Sequence, residues 1–432
     1  MPGAHLTKII SCLDENQKGL LKESPHSVIV ADMEGHVVAC NAGAGDLFGY
    51  TKTEMIGTHV KVFHPPQNYA RILPELFRTA LQKGIYDQII TLQKKDHQPF
   101  LARIIVTRIL GTDGKPIALM GVTSPAQKAP SIGFIATWIR ALRAPFFTAT
   151  LIPIFLGTAI AFSATGTFSF WPFFWTVWGM LFIHAGVNLA NDYFDHQTGN
   201  DELNPHPTPF SGGSRVIQEG LVAPNTIRNV ALLCLAVGSL IGLYLNSLVP
   251  GNLILVLGVL GVGIGFFYSS PPLAASYKRL GELCVALGFG PLIVLGSYVV
   301  QTQSFSIIPL VASIPIALLI VGVLFLNQFP DFEADVKSQK RNLLNTWGKP
   351  TGVKLLTYGV AAVFIFTGAG VISGLFPPLA GLTLLALPFA YAMLTTLRTH
   401  YDQVLELLPA NANMIKLHFT YGLLFTIAFL VG

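Results

Sequence analysis

The chain has 432 residues, of which 52% are hydrophobic and 11% charged, with a formal net charge of +5; this balance lies outside the usual soluble range and excludes a wholly water-exposed protein. The basic residues are spread over many short loops rather than grouped into one stripe, so no nucleic-acid partner is implied. Cys12, Cys40, Cys234 and Cys284 are isolated, with no C-x-x-C pair, which argues against disulfides and a zinc site.

Residues up to about 127 read as a soluble module. Its first 23 residues are polar and mixed, so no cleaved secretory signal is expected and the module should stay in the cytoplasm; residues 1–19 form an N-terminal extension. A hairpin follows at 26–32 and 37–41 across Glu34-Gly35, then short helices at 46–50 and 53–56, and a longer helical period at 70–83 stopped by Gly84. Strands at 86–93, 100–110 and 117–123 close the module, with Asp113-Gly114 as a hairpin signal. This order, with Asn41-Ala-Gly-Ala-Gly-Asp-Leu-Phe-Gly-Tyr50, resembles a PAS sensor domain over residues 20–125. The resemblance implies a five-stranded antiparallel sheet with helices on one face, used for ligand sensing or for forming a homodimer. Cys40 precedes Asn41 on an expected strand and the photoactive Gly-x-Asn-Cys-Arg motif is missing, so a flavin-thiol photocycle is not expected. The helix at 70–83 has no histidine to ligate haem, and His64, in a loop before Pro65-Pro66, reads as structural.

A Pro-rich polar linker is expected at 126–140, and Trp138, Arg140 and Arg143 read as interfacial anchors. Apolar windows follow near 146–164, 172–191, 226–246, 252–270, 280–300, 307–327, 354–373, 378–397 and 414–431. The expected fold is therefore an α-helical integral membrane bundle of nine transmembrane helices over 141–432, preceded by a small α+β PAS-like domain. The turns at 163–171, 246–252, 300–306 and 373–378 carry no charge, whereas the Lys and Arg residues from Arg215 to Lys416 fall on the opposite side. That asymmetry predicts that side to be cytoplasmic.

Two acidic segments sit where apolar runs end on that side: Asn188-Leu-Ala-Asn-Asp192-Tyr-Phe-Asp195 and Asn327-Gln-Phe-Pro-Asp331-Phe-Glu-Ala-Asp335. At about 100° per residue Asn188, Asn191, Asp192 and Asp195 share one helix face, and Asn327, Asp331 and Asp335 another. Carboxylates at a membrane edge are costly unless paired or coordinated. Mg²⁺ fits such faces, because it takes hard oxygen ligands and completes its shell with substrate phosphates. The Gly-rich loop Phe210-Ser-Gly-Gly-Ser-Arg215 and the basic residues Lys278, Lys340 and Arg341 lie near these segments in sequence and suit a diphosphate.

Together these segments resemble the UbiA superfamily of intramembrane aromatic prenyltransferases over about residues 132–432, and most closely its 1,4-dihydroxy-2-naphthoate branch of menaquinone biosynthesis. The resemblance implies nine helices around a central cavity open to lipid, with Mg²⁺ and a polyprenyl diphosphate on the two Asp-rich motifs. Asp192, Asp195, Asp331 and Asp335 are then the catalytic carboxylates, and with Asn188 and Asn327 the metal ligands. Asn188, Arg215, Tyr268, Lys278, Asn327, Lys340 and Arg341 would bind substrate. Neutralising the departing diphosphate would release an allylic cation for attack by an aromatic acceptor, with Phe194, Tyr268 or Phe329 as candidates for stabilising it. His184 could face the cavity or hydrogen-bond a neighbouring helix, and Glu333, Asp402 and Glu406 read as solvated. The family usually has Gly-Lys-Arg-Thr where Gln339-Lys340-Arg341-Asn342 stands, and Gln339 adopts a positive φ less easily than Gly. The competing reading is a membrane receptor for a quinone or isoprenoid that signals through the PAS module; the retained Asn and Asp register favours the enzyme.

Overall fold

The computed structural model describes residues 9–125, 133–201, 204 and 208–432. Two compact units emerge, Met1–Ile132 and Gly133–Gly432. Of the expected linker, residues 126–132 lie outside the described residues, and the remainder is already helical from Phe134 to Ala141.

In the first unit the strands are β1 (Ser27–Asp32), β2 (Val37–Cys40), β3 (Ile85–Gln93), β4 (Pro99–Leu110) and β5 (Pro116–Pro125), in the order β2-β1-β5-β4-β3. All four pairings are antiparallel, as the strand pattern predicts. One face buries Ile90, Leu92, Ile104 and Val106 against Phe48, Met55, Phe63 and Leu76 from the intervening helical segments. The first of these helices spans Ala42–Phe48, earlier than the expected 46–50, because the Asn41 side chain accepts from Ala44 N and caps it. The same amide ties the cap to β1 through Val28 N, 2.9 Å, and His26 O, 2.8 Å. The opposite sheet face is covered as well: Ile9 and Leu13 pack on Val28, Val30, Ile109 and Met120. A helix, Glu15–Glu23, follows, its start fixed by a capping box between Asp14 and Gln17.

Among the described residues of the second unit eight helices are long and apolar enough to cross a membrane: Ala144–Thr165, Phe170–Thr198, Pro224–Ser247, Gly281–Thr302, Ile308–Lys337, Lys349–Ile372, Pro378–His400 and Val404–Val431. The remaining expected span is the apolar helix Leu253–Ser269, whose 17 residues extend about 26 Å at roughly 1.5 Å per residue, short of a hydrocarbon core of about 30 Å. Helix Ile308–Lys337 packs into the main core, with Ile316, Leu319, Leu326 and Phe329 against residues of Ala144–Thr165 and Val404–Val431. Gly157 lets helix Ala144–Thr165 approach Gly281–Thr302 closely, since a Cβ there would run into the Val294 carbonyl. Helix Gly281–Thr302 is interrupted by a π-turn at Gly288–Leu292 that holds Pro291, a device that often marks a site of function.

The two loops that follow Leu253–Ser269 and Ile308–Lys337 pair with each other. Arg279 N donates to Arg341 O at 2.7 Å and Arg341 N to Tyr277 O at 3.3 Å, around a bridge between Lys278 and Arg341. This clasp fixes Tyr277 and Lys340 over the ends of the two acidic helices.

Candidate active site

Helix Phe170–Thr198 carries the first acidic cluster and ends at Gly199, whose φ of 73° makes the C-terminal turn. Asp192 and Asp195 are buried, at 2% and 4% exposure. The Asp192 carboxylate accepts from the Arg143 guanidinium and from Ser214 N at 3.3 Å. Arg143 also donates to Asn191 Oδ1 at 3.2 Å. Asn191 in turn donates to Asp195 Oδ2 at 3.1 Å and to Ser269 Oγ at 2.8 Å. Tyr277 donates its hydroxyl hydrogen to Asp195 Oδ1 at 2.8 Å; burial, and then the Asp195 charge, push that phenol up, so it remains a donor. Asn188 donates to Leu142 O at 3.1 Å.

The second cluster faces the first. Asp331 accepts from Asn204 at 2.7 Å and from Gly212 N at 3.2 Å, and Asp335 accepts from Asn342 at 2.8 Å. Asn327 accepts from Asn411 at 2.9 Å. Lys340 joins the clusters: its Nζ is 3.3 Å from Asp195 Oδ2 and 4.0 Å from Asp335 Oδ1, over the Tyr277 ring at 5.3 Å. Burial alone would lower its pKa, but Asp195 and Asp335 hold it well above the ordinary lysine value. Glu333 points away and pairs with Lys337 at 3.6 Å on the exposed side.

The Gly-rich loop closes the floor. Gly212 and Gly213 both have positive φ, and a Cβ on Gly213 would collide with the Asp201 carboxylate, so the sequence needs glycine there. Asp201 is itself buried; desolvation first, then the charges of Asp195 and Asp192, push it up to about 8.

These groups occupy one end of a cavity of about 760 Å³, which continues between apolar helices past Gly258, Val262 and Phe289. Asn188, Asp195, Tyr268, Asn327, Asp331, Asp335 and Lys340 line it, whereas Asp192 lies behind Arg143 and is not part of the wall. Three basic residues expected to hold phosphate are placed elsewhere. Arg215, at φ 65°, turns its guanidinium onto the Asp201 carbonyl and stands outside the cavity wall. Lys278 is exposed, with Nζ on Pro272 O at 3.0 Å, and Arg341 is exposed and uses its backbone in the loop clasp. The structure instead brings Arg143, read from sequence as a membrane anchor beside Arg140, to the cavity wall, where it binds Asp192 and Asn191; Arg140 does sit outside, paired with Glu219 at 2.5 Å. Phe329 is core, and Phe194 packs on Tyr193 and Phe266, leaving Tyr268 as the cavity-facing member of the three aromatics. His184 does both things expected of it: it lines the cavity, and its Nδ1 is 2.7 Å from Thr150 Oγ1 on the neighbouring helix.

A model of the UbiA prenyltransferase family matches residues 150–415, well over half of the chain. The chain belongs to that family. A second model, the PAS fold, matches residues 21–128. The 2-carboxy-1,4-naphthoquinone phytyltransferase of Synechocystis sp. is 27% identical over 72% of this chain and 96% of its own length. The 1,4-dihydroxy-2-naphthoate octaprenyltransferase of Bacillus subtilis is 29% identical over 62% of this chain and 83% of its own. Among solved structures, a UbiA homologue from Archaeoglobus fulgidus bound to DMAPP and Mg²⁺ aligns at 17% identity and a TM-score of 0.49, over 67% of this chain and 99% of that one.

The donor set of this UbiA domain suits a hard cation. Asp192 Oδ2, Asp201 Oδ2 and Asp335 Oδ1 are buried without a hydrogen-bond partner, a costly state that a cation relieves. Among the described residues no three His, Cys, Asp or Glu side chains enclose a metal by themselves. An ion held here would take its remaining ligands from substrate, as Mg²⁺ does with phosphates.

Proposed function

We propose that this membrane protein is a Mg²⁺-dependent prenyltransferase that moves a polyprenyl group from its diphosphate to an aromatic quinone precursor, 1,4-dihydroxy-2-naphthoate, in menaquinone biosynthesis. The observation that carries the reading is the pair of acidic helix ends facing each other across one end of a long apolar cavity, with Lys340 between them. The naphthoate and naphthoquinone prenyltransferases among its relatives support the acceptor class. Leu253–Ser269 serves as the remaining span, and the PAS unit and the acidic mouth lie on the cytoplasmic side, as the charge asymmetry of the loops implies.

Asp192, Asp195, Asp331 and Asp335, with Asn188 and Asn327 beside them, would hold the metal. Bound Mg²⁺ supplies charge neutralisation of the diphosphate as its bond to the allylic carbon breaks. Arg143 fixes Asp192 and Asn191, and Tyr277 fixes Asp195, so the carboxylates are oriented before substrate arrives. Lys340 adds a positive charge at the leaving group, while Tyr268 presents a ring to the developing allylic cation. The apolar reach of the cavity takes the isoprenoid chain and keeps water from the cation. The PAS unit regulates this activity.

Membranes carrying the protein, given polyprenyl diphosphate, Mg²⁺ and 1,4-dihydroxy-2-naphthoate, should form a prenylated, decarboxylated product seen by mass spectrometry. Asp192→Ala and Asp331→Ala should abolish it. Unchanged turnover in both would remove the metal assignment.

A further inference from the structure

Glu282 opens helix Gly281–Thr302 and is the one buried glutamate among the described residues, at 4% exposure. Its Oε1 accepts from Gln328 Nε2 at 2.9 Å and from Leu343 N at 3.1 Å. Its Oε2 has no partner, and neither has Gln328 Oε1 nor Ser276 Oγ, and all three residues line the cavity. Gln328 and Ser276 are buried too, at 9% and 3% exposure. A buried polar atom with no partner costs about 1–3 kcal/mol, more when charged, so a cluster of them on residues that line a cavity marks a place for a ligand group.

The sign of the cluster decides which group. The orphaned atoms are two acceptors and a hydroxyl, so the ligand must donate hydrogen bonds. A diphosphate, which only accepts and is anionic, is repelled here; a hydroxylated aromatic ring is the matching chemistry. Distance along the chain places this spot beside the leaving group. Asn342 donates its side chain to Asp335, and the next residue, Leu343, donates its N–H to Glu282, so one turn of backbone links the diphosphate end to the orphaned carboxylate.

We infer that Glu282, held by Gln328, binds a ring hydroxyl of the aromatic acceptor and takes its proton as the ring attacks. This rests on the transferase reading above. In that step a π pair of the ring forms the bond to the allylic carbon whose C–O bond to diphosphate breaks, the O–H pair becomes C=O, and the proton moves to Glu282 Oε2. When the attacked ring later loses its proton or its carboxyl group as CO₂, the C=O pair returns to oxygen and Glu282 gives the proton back. The carboxylate is thus restored, with diphosphate and the displaced proton or CO₂ as the other products.

The test uses full-length protein in membranes, with 1,4-dihydroxy-2-naphthoate and its mono-O-methyl ethers as probes. Wild type should bind the free diol at least about 10-fold tighter than the ether that blocks the contacted hydroxyl, and Glu282→Gln should bind the two alike. In turnover, Glu282→Gln should keep its KM for prenyl diphosphate within about twofold, while kcat/KM for the diol falls by about 10²–10⁴, the range for loss of a general base. Gln328→Leu should shift the same way by about 10-fold, and serves if Glu282→Gln does not accumulate. Equal loss toward both substrates, or an unaltered preference for the diol, would overturn the assignment. Binding needs no turnover: a hydroxyl-dependent, Glu282-dependent affinity without any product would count against the transferase reading and leave the subsite standing.

Discussion

Replacing Lys340 by methionine keeps an unbranched apolar stem and removes the charge that lies between the two acidic clusters. With Nζ at 3.3 Å from Asp195 and 4.0 Å from Asp335, and the side chain 16% exposed, each attraction is about 4–5 kcal/mol at an effective dielectric of about 20. Desolvation offsets much of this, and removing one partner of a buried pair costs about 3–5 kcal/mol. The metal-free variant should therefore lose about that much stability. Mg²⁺ brings charge to the same carboxylates, so it should restore stability to Lys340→Met more than it adds to wild type. In detergent, thermal unfolding followed with and without Mg²⁺ should show a lower starting Tm and a larger metal-induced rise. Turnover should still fall about 10²–10³-fold, the cost of removing one stabiliser of developing charge. A metal-induced rise equal to or smaller than that of wild type would refute the placement of Lys340 against the metal-binding carboxylates.

Arg143→Ala should lower kcat at least about 10²-fold, because Asp192 loses the donor that orients it, whereas Lys278→Ala and Arg341→Ala, exposed and outside the cavity, should change kcat and the KM for prenyl diphosphate by less than about threefold. His64 in the PAS unit is buried at 3% exposure, and burial lowers its pKa from 6.5 to about 4. Between those values the unfolded chain binds a proton that the folded one excludes, so stability should fall as pH drops from about 6.5 to 4, by about 3 kcal/mol in all; hydrogen exchange in β1 to β5 should show it, and His64→Gln should flatten the profile. Gln339 adopts φ 60°, which costs about 1–2 kcal/mol in an L-residue, while Gly would lose about 0.5–1 kcal/mol in chain entropy. Gln339→Gly should therefore gain up to about 1 kcal/mol in unfolding free energy with turnover unchanged; a fall in turnover would mean the exposed side chain is used.

The segments that could be read from sequence are those governed by periodicity. Asp192 and Asp195 recur at helical spacing, as do Asp331 and Asp335, and the five strands of the PAS unit follow alternation, so local pattern was enough to find them. Arg143, Tyr277 and Glu282 were invisible as site residues for a different reason. Each reaches its partner across a gap of at least 46 positions, Arg143 to Asp192, Tyr277 to Asp195 and Glu282 to Gln328, and no local pattern encodes such pairings. The same reasoning applies to the basic residues. Lys278, Arg341 and Lys340 lie on neighbouring loops with like charge, and only the backbone clasp of Arg279 with Arg341 decides that Lys340 turns inward while the other two face out. Gln339 supplies the turn for this: its left-handed φ, with Lys340 N donating to Asp335 O at 2.8 Å, folds the chain back over the acidic helix. The departure from glycine thus changes the cost of the turn and not its shape, and the lysine that follows still meets both carboxylates.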